Sequence, residues 1–162
     1  MTPLTQLHAD VASSYGDIVT TVFTSTIAAK AWFATIAVVL ALVQIITAAR
    51  IYGRLSGVIS ASPGSVARVH RWSGRAAILF TLPIVFHCVF ILGFQTSDAR
   101  VLTHSLIGTF FYGVFAAKMV VVKDRGFPAW LLPVVGGTLF AMLGVLWATS
   151  SYWYFTEVRF GF

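Results

Sequence analysis

The sequence predicts an all-α polytopic membrane protein: a four-helix bundle with both termini extracytoplasmic, preceded by a short N-terminal amphipathic segment. Three observations predict it. The 162 residues are 58% hydrophobic and 10% charged, with a mean hydropathy of +0.87, whereas soluble domains carry about 25% charged residues. Four apolar runs approach or exceed the roughly 20 helical residues needed to cross a bilayer. Most of the basic residues fall in alternate loops.

The apolar runs cover 31–49, 76–94, 101–122 and 130–153. Helix is the only form in which a single segment satisfies its backbone groups in lipid. Between the first two runs lie Arg50, Arg54, Arg68, Arg71 and Arg75 without an acid, and at the end of the third run and in the loop after it lie Lys118, Lys123 and Arg125 with Asp124. Eight of the eleven cations therefore share one side, which the positive-inside bias places in the cytoplasm. Lys30, Arg100 and Arg159 share the other side with Asp10, Asp17, Asp98 and Glu157. This placement assigns the net charge of +6 to membrane orientation and not to nucleic-acid binding.

The division that follows is an extracytoplasmic segment over 1–29, a four-helix domain over 30–155 and a short extracytoplasmic tail over 156–162. Trp32, Tyr152, Trp153 and Tyr154 suit the outer interface, and Trp72 and Trp130 the inner one. The small residues in 53–64 read as a cytoplasmic loop, with Ser73-Gly74 as the entry to the second span. Gly126, Phe127 and Pro128 form the turn before the fourth. The first basic residue is Lys30, so 1–29 lacks the charged start of a secretory signal. Val11, Tyr15, Ile18, Val22 and Phe23 recur at helical spacing, as in a helix lying on the outer surface. An extension of the first span into solvent fits the same spacing.

Among the histidines, His8 falls in the N-terminal stretch, His70 in the Arg-rich loop, His87 inside the second span and His104 at the start of the third. Ionisable residues at membrane depth are rare and mark function. The short loop between the second and third spans makes them antiparallel neighbours. At the helical rise, His87 lies roughly 12 Å and His104 roughly 5 Å below the outer ends of their helices. Two imidazoles at such depths suit the axial positions of one b-type haem, with His87 and His104 as the metal ligands. Phe94, Gly108 and Phe111 supply apolar walls, and Arg100 stands at the rim as a partner for a propionate. Phe80, Pro83, Ile84, Phe90 and Ile91 share the broad face of His87. Each has a plainer reading: His87 as an interhelical hydrogen-bonding group, His104 as an interfacial anchor, the aromatics as packing.

An inner haem would need a second histidine at cytoplasmic depth, so one haem is expected. His70 then joins Arg68, Arg71 and Arg75 in a patch for lipid headgroups. Small residues recur at Ser105, Thr109, Gly113 and Ala117, and again at Gly137, Ala141, Gly144, Ala148 and Ser151. Such stripes suit close packing in the bundle or a partner subunit. The single cysteine, Cys88, excludes an internal disulfide. The sequence offers no nucleophile–base pair, carboxylate dyad or nucleotide loop for an enzyme acting alone. A transporter is disfavoured because no acid falls inside a span.

His70-Arg71-Trp72-Ser73-Gly74-Arg75, Leu82-Pro83, His87-Cys88, Gly93-Phe94, Arg100, His104 and the stretch from Tyr112-Gly113 to Lys118 resemble a family of small bacterial four-helix membrane proteins. More loosely, the layout is similar to b-type cytochrome and ferric-reductase-like transmembrane domains, over about residues 30 to 155. The resemblance implies a bacterial plasma-membrane protein with His87 and His104 holding one haem b. It implies an electron-transfer or anchor subunit whose partner is an extracytoplasmic redox protein, a membrane complex or a quinone. The competing expectation is a cofactor-free structural subunit of a larger membrane complex.

Overall fold

The computed structural model describes residues 2–124 and 126–159. Five helices follow in order: α1 (Pro3–Thr20), α2 (Thr26–Ile51), α3 (Pro63–Phe86), α4 (Ala99–Lys123) and α5 (Leu131–Trp147). Helix α3 continues as a π-helical turn over His87–Leu92, and α5 continues in wide turns to Arg159. The four helical stretches Thr26–Ile51, Pro63–Leu92, Ala99–Lys123 and Leu131–Val158 are long and apolar enough to cross a membrane. Large apolar side chains such as Leu79, Phe90, Phe110, Val120 and Val134 face outward, the pattern required where the solvent is hydrocarbon.

Local chemistry sets the helix ends. Ser25 accepts a hydrogen bond from the Ala28 N–H at 3.1 Å, and Asp98 accepts one from Val101 at 2.9 Å, so α2 and α4 begin with satisfied N-caps. Gly53, at φ 82°, takes the left-handed conformation just beyond α2 that a side chain would disfavour. Helix α3 begins at Ser62-Pro63, with Pro63 in the first-turn position where its missing N–H costs nothing.

That start lies thirteen residues ahead of the expected one at 76, so Ser73 and Gly74 are interior to the helix and Arg68, His70, Arg71 and Arg75 are carried on it. The expectation of a loop there failed because a polar helical extension reads like a loop when hydropathy alone is followed. Packing supports the extension. Gln44 of α2 donates to the His70 carbonyl and, at 2.6 Å, to Ser73 Oγ, while Thr47 Oγ1 lies 2.8 Å from His70 Nδ1. A Cβ on Gly74 would sit 2.9 Å from Gln44 Oε1, so glycine lets the glutamine lie against the backbone. His70 is therefore a bonded member of the α2–α3 seam, not a loop residue.

The chain turns at 21–25, so α1 is a separate helix and not an extension of α2. The Val11 and Ile18 side chains are exposed, and Tyr15 is half-buried against α3.

Helix α2 buries Ala28, Ala29, Ala31, Ala34, Ala37 and Ala41. Small side chains let neighbouring backbones approach closely where apolar burial alone gives no preference. Helix α2 packs most extensively on α3, α4 on α5, and α2 also meets α5. Ala37, Ala41, Phe111, Leu139 and Leu143 form the central cluster. Most of the small-residue stripes do not serve these seams: Gly113, Gly137, Ala117 and Ala141 lie on exposed positions, and a Cβ on Gly113, Gly137 or Gly144 would meet nothing within 4 Å; Ser151, at the end of the second stripe, is fully buried. Bulkier Leu139, Leu143 and Phe111 fill the seam instead.

Helices α3 and α4 scarcely touch, although a short loop joins them. The expectation that they pack as neighbours is corrected: a slot separates them, and the candidate site occupies it.

Candidate functional site

The slot widens into a cavity of about 690 Å³ at the end of the bundle where α2 begins and α3 ends. That volume is in the range of small-molecule and cofactor sites, roughly 300–1,000 Å³. Thr81, Ile84, Val85 and Cys88 form the α3 wall, and His104, Gly108 and Phe111 the α4 wall. Ala31 and Ala34 back it from α2, with Leu146 and Trp147 from α5. Tyr112 donates its hydroxyl to Thr81 Oγ1 at 2.8 Å, a strut across the slot between two lining residues. Trp147 Nε1 donates to Thr35 Oγ1 at 2.9 Å and ties α5 to α2. The side of the slot is open, since Val89, Leu92, Phe94 and Thr109 line the cavity while remaining exposed.

Five of the six site residues expected from the sequence line this one cavity: Phe94, Arg100, His104, Gly108 and Phe111. Phe111 is buried. A Cβ on Gly108 would have only Leu146 Cδ2 near it, at 3.7 Å, so the glycine leaves ordinary room at the wall.

The tautomer of His104 follows from its neighbours. Thr149 Oγ1 donates its single proton to the Val145 carbonyl at 2.7 Å. The same oxygen lies 2.9 Å from His104 Nδ1 and 3.2 Å from the Leu146 carbonyl; with its proton on either carbonyl it accepts from Nδ1–H. Nε2 is then left with a free lone pair, and no hydrogen bond engages it among the described residues. One ring nitrogen held by a hydrogen bond and the other left open is an arrangement that metal-ligating histidines use.

Arg100 is held from three directions. Nη1 donates to the Thr149 carbonyl at 2.7 Å, Nη2 lies 3.9 Å from Asp98, and the guanidinium sits 4.3 Å from the centroid of the Trp153 ring. The end of α4 is thereby fastened to the end of α5.

His87 lies outside the cavity lining. It is one residue back from Cys88, hence about 100° around the helix from the wall. Its ring centroid stands 5.5 Å from that of Tyr15, which also stacks on Phe86 at 5.4 Å. The two imidazoles therefore do not face a common space: His104 faces the cavity and His87 faces α1. His87 is 2% exposed, and neither ring nitrogen has a hydrogen-bond partner. A buried polar group in that state costs about 1–3 kcal/mol and calls for an explanation. Of the aromatics expected beside it, Phe80 pairs with Phe33 at 5.9 Å and Phe90 with Phe86 at 5.2 Å.

Helix α1 is fastened over this region. His8 Nε2 lies 2.6 Å from the Phe90 carbonyl in the π-helical turn. Burial against α3 raises the Tyr15 phenol above its usual pKa, and the neighbouring Cys88 thiol adds to the shift.

Sequence reasoning missed Lys30, Thr149 and Trp153, all of which line the cavity. Signals for them existed: Lys30 is a lone cation entering an apolar run, and Thr149, Ser150 and Ser151 interrupt another. No group of three or more His, Cys, Asp or Glu side chains suited to a metal ion occurs among the described residues; a haem iron, held by its macrocycle, needs only axial ligands.

Residues 4–162 match a family of unknown function, DUF6529, and the chain belongs to that family. Neither the curated proteins nor the solved structures gave a match.

Proposed function

We propose that this DUF6529 member is a multi-pass bacterial plasma-membrane protein that holds one haem b in its outer half and serves as an electron-transfer or anchor subunit of a redox complex. The observation that carries this reading is His104: its Nδ1 is hydrogen-bonded to Thr149, its Nε2 has no hydrogen-bond partner among the described residues, and it lines a cavity of about 690 Å³. The positive-inside distribution supports cytoplasmic Arg-rich loops and extracytoplasmic termini.

The residues present fit the group. His104 offers an axial nitrogen, Phe94, Gly108 and Phe111 offer apolar walls, and Arg100 lies at the charged mouth. His87, the other ligand expected from the sequence, lies outside the cavity lining against Tyr15 and would reach the iron only if the α3 end rearranged; its two unpartnered ring nitrogens are what supports that role. Haem iron supplies one-electron chemistry, and the protein contributes ligation, burial and pairing of the acidic groups. Tyr112, Thr81 and the α5 aromatics keep water from the apolar depth of the site. Electrons would be exchanged with an extracytoplasmic redox protein or a membrane quinone.

A cofactor-free anchoring subunit is the second reading. The outward-facing Gly113 and Gly137 positions, with open space before them, favour it by offering a surface to a partner helix.

Reduced-minus-oxidised visible spectra of the purified full-length chain, with haem quantified by pyridine haemochrome, separate the two. His104→Ala and His87→Ala are expected to lose the haem, and His70→Ala to keep it, because His70 is engaged with Thr47 and Gln44. A wild-type protein without haem, supplied with haem during expression, sinks the reading. Loss of haem in His70→Ala with retention in His104→Ala sinks the ligand assignment.

A further inference from the structure

The charges of the cavity are one-sided. Lys30 on α2 and Arg100 on α4 both line it, and among the described residues no acidic side chain does. Arg100 has a distant acid in Asp98 at 3.9 Å and is already anchored. Lys30 is half-buried and has neither an ion pair nor a side-chain hydrogen bond among the described residues. Arg100 also stands in the first turn of α4, where the helix N-terminus favours anions over cations. A positive charge beside apolar walls is offset where an anion compensates it.

We propose that Lys30 and Arg100 form a two-point carboxylate site at the mouth of the cavity, which orients a dicarboxylate porphyrin with its acidic edge outward and discriminates against neutral analogues. The inference rests on the haem reading and deepens it, by naming Lys30 as a specificity residue on the helix facing Arg100. Two cations from different helices select two acidic groups on one edge, and the apolar walls below accept the rest of the ring. His104 lines the same cavity, so the edge held at the mouth sets how the ring presents itself to that histidine.

Metal-free protoporphyrin IX tests the charge site apart from ligation, since without iron His104 has nothing to hold. Its binding to the full-length protein in neutral detergent is followed by quenching of tryptophan fluorescence and compared with binding of its dimethyl ester. The wild type is expected to bind the diacid about tenfold more tightly than the diester, as the loss of one or two half-exposed charge pairs implies. Lys30→Gln is expected to lose most of that preference and Lys30→Arg to keep it. Equal affinity for diacid and diester in the wild type overturns the proposal, and that comparison stands even where Lys30→Gln does not fold. A preference unchanged in folded Lys30→Gln also overturns it. So does competition by phosphatidylglycerol, but not phosphatidylcholine, without any diacid preference, which assigns the cations to a lipid headgroup. A clear diacid preference in a protein that never yields a haem spectrum supports the carboxylate site and removes the haem reading. Haem binding without the preference does the reverse.

Discussion

At the residue scale, Thr149 links the two groups that matter most at the cavity. Its hydroxyl accepts from His104 and its carbonyl accepts from Arg100. Thr149→Val removes only the first contact, at about 1 kcal/mol, and frees the imidazole to change tautomer. The expected outcome is a folded protein with weakened haem retention and an altered ferric spectrum, measured by haem-to-protein ratio and low-temperature electron paramagnetic resonance. An unchanged spectrum removes Thr149 as an orienting group. The positions of His104 and Arg100 were legible in the sequence because charge and imidazole are rare in apolar runs. Thr149 was not, because a threonine in a membrane helix usually bonds its own backbone. This one does so toward Val145 and accepts from His104 as well. His87 was legible as unusual, but its facing was not: a rotation of one residue separates the cavity wall from the α1 side, and an all-apolar run carries no marker of which side is which.

At the element scale, the π-helical turn at His87–Leu92 and helix α1 belong together. Pro83, four residues before His87, lacks the N–H that would bond the Leu79 carbonyl, and the widened turn begins one helical turn further on. The Phe90 carbonyl in that turn receives His8. Helix α1 is held mainly through long side chains, so its clasp is a small number of contacts. His8→Ala with Tyr15→Ala is expected to release α1 without unfolding the bundle. Hydrogen exchange read by mass spectrometry then rises across 3–20 while 26–51 stays protected; protection retained in α1 shows that other contacts hold it. The existence of α1 was legible from its apolar spacing. Its docking was not, since it depends on a carbonyl exposed by a wide turn elsewhere in the chain. The early start of α3 escaped notice for a related reason: polar residues that pack on Gln44 and Thr47 look like loop residues until their partners are known.

At the scale of the whole molecule, the four long helices were legible because each is long and apolar enough to cross a membrane. Their pairing was not. In a soluble bundle, polar faces point outward and identify the seams; here Leu79, Val120 and Val134 face outward as apolar groups, so periodicity loses that information. The order in which α2 serves as the hub and α3 stands apart from α4 follows from the buried alanines of α2. Orientation is tested independently of any cofactor. In a Cys88→Ser background, single cysteines replacing Ser56 and Thr5 are labelled in intact cells with a membrane-impermeant maleimide. Thr5→Cys is expected to react and Ser56→Cys to react only after lysis; the opposite pattern inverts the topology.

The gap between α3 and α4 has a consequence for supply. With Val89, Leu92 and Phe94 exposed along its edge, a chain embedded as proposed would let a guest slide in sideways from among the acyl chains without passing through water. Occupancy would then follow how strongly a compound partitions into the bilayer, and a poorly soluble guest gains an advantage that its aqueous concentration conceals. On the proposed reading detergent tails could take the same route, so the choice of solubilising agent would set how much of a bound guest survives extraction.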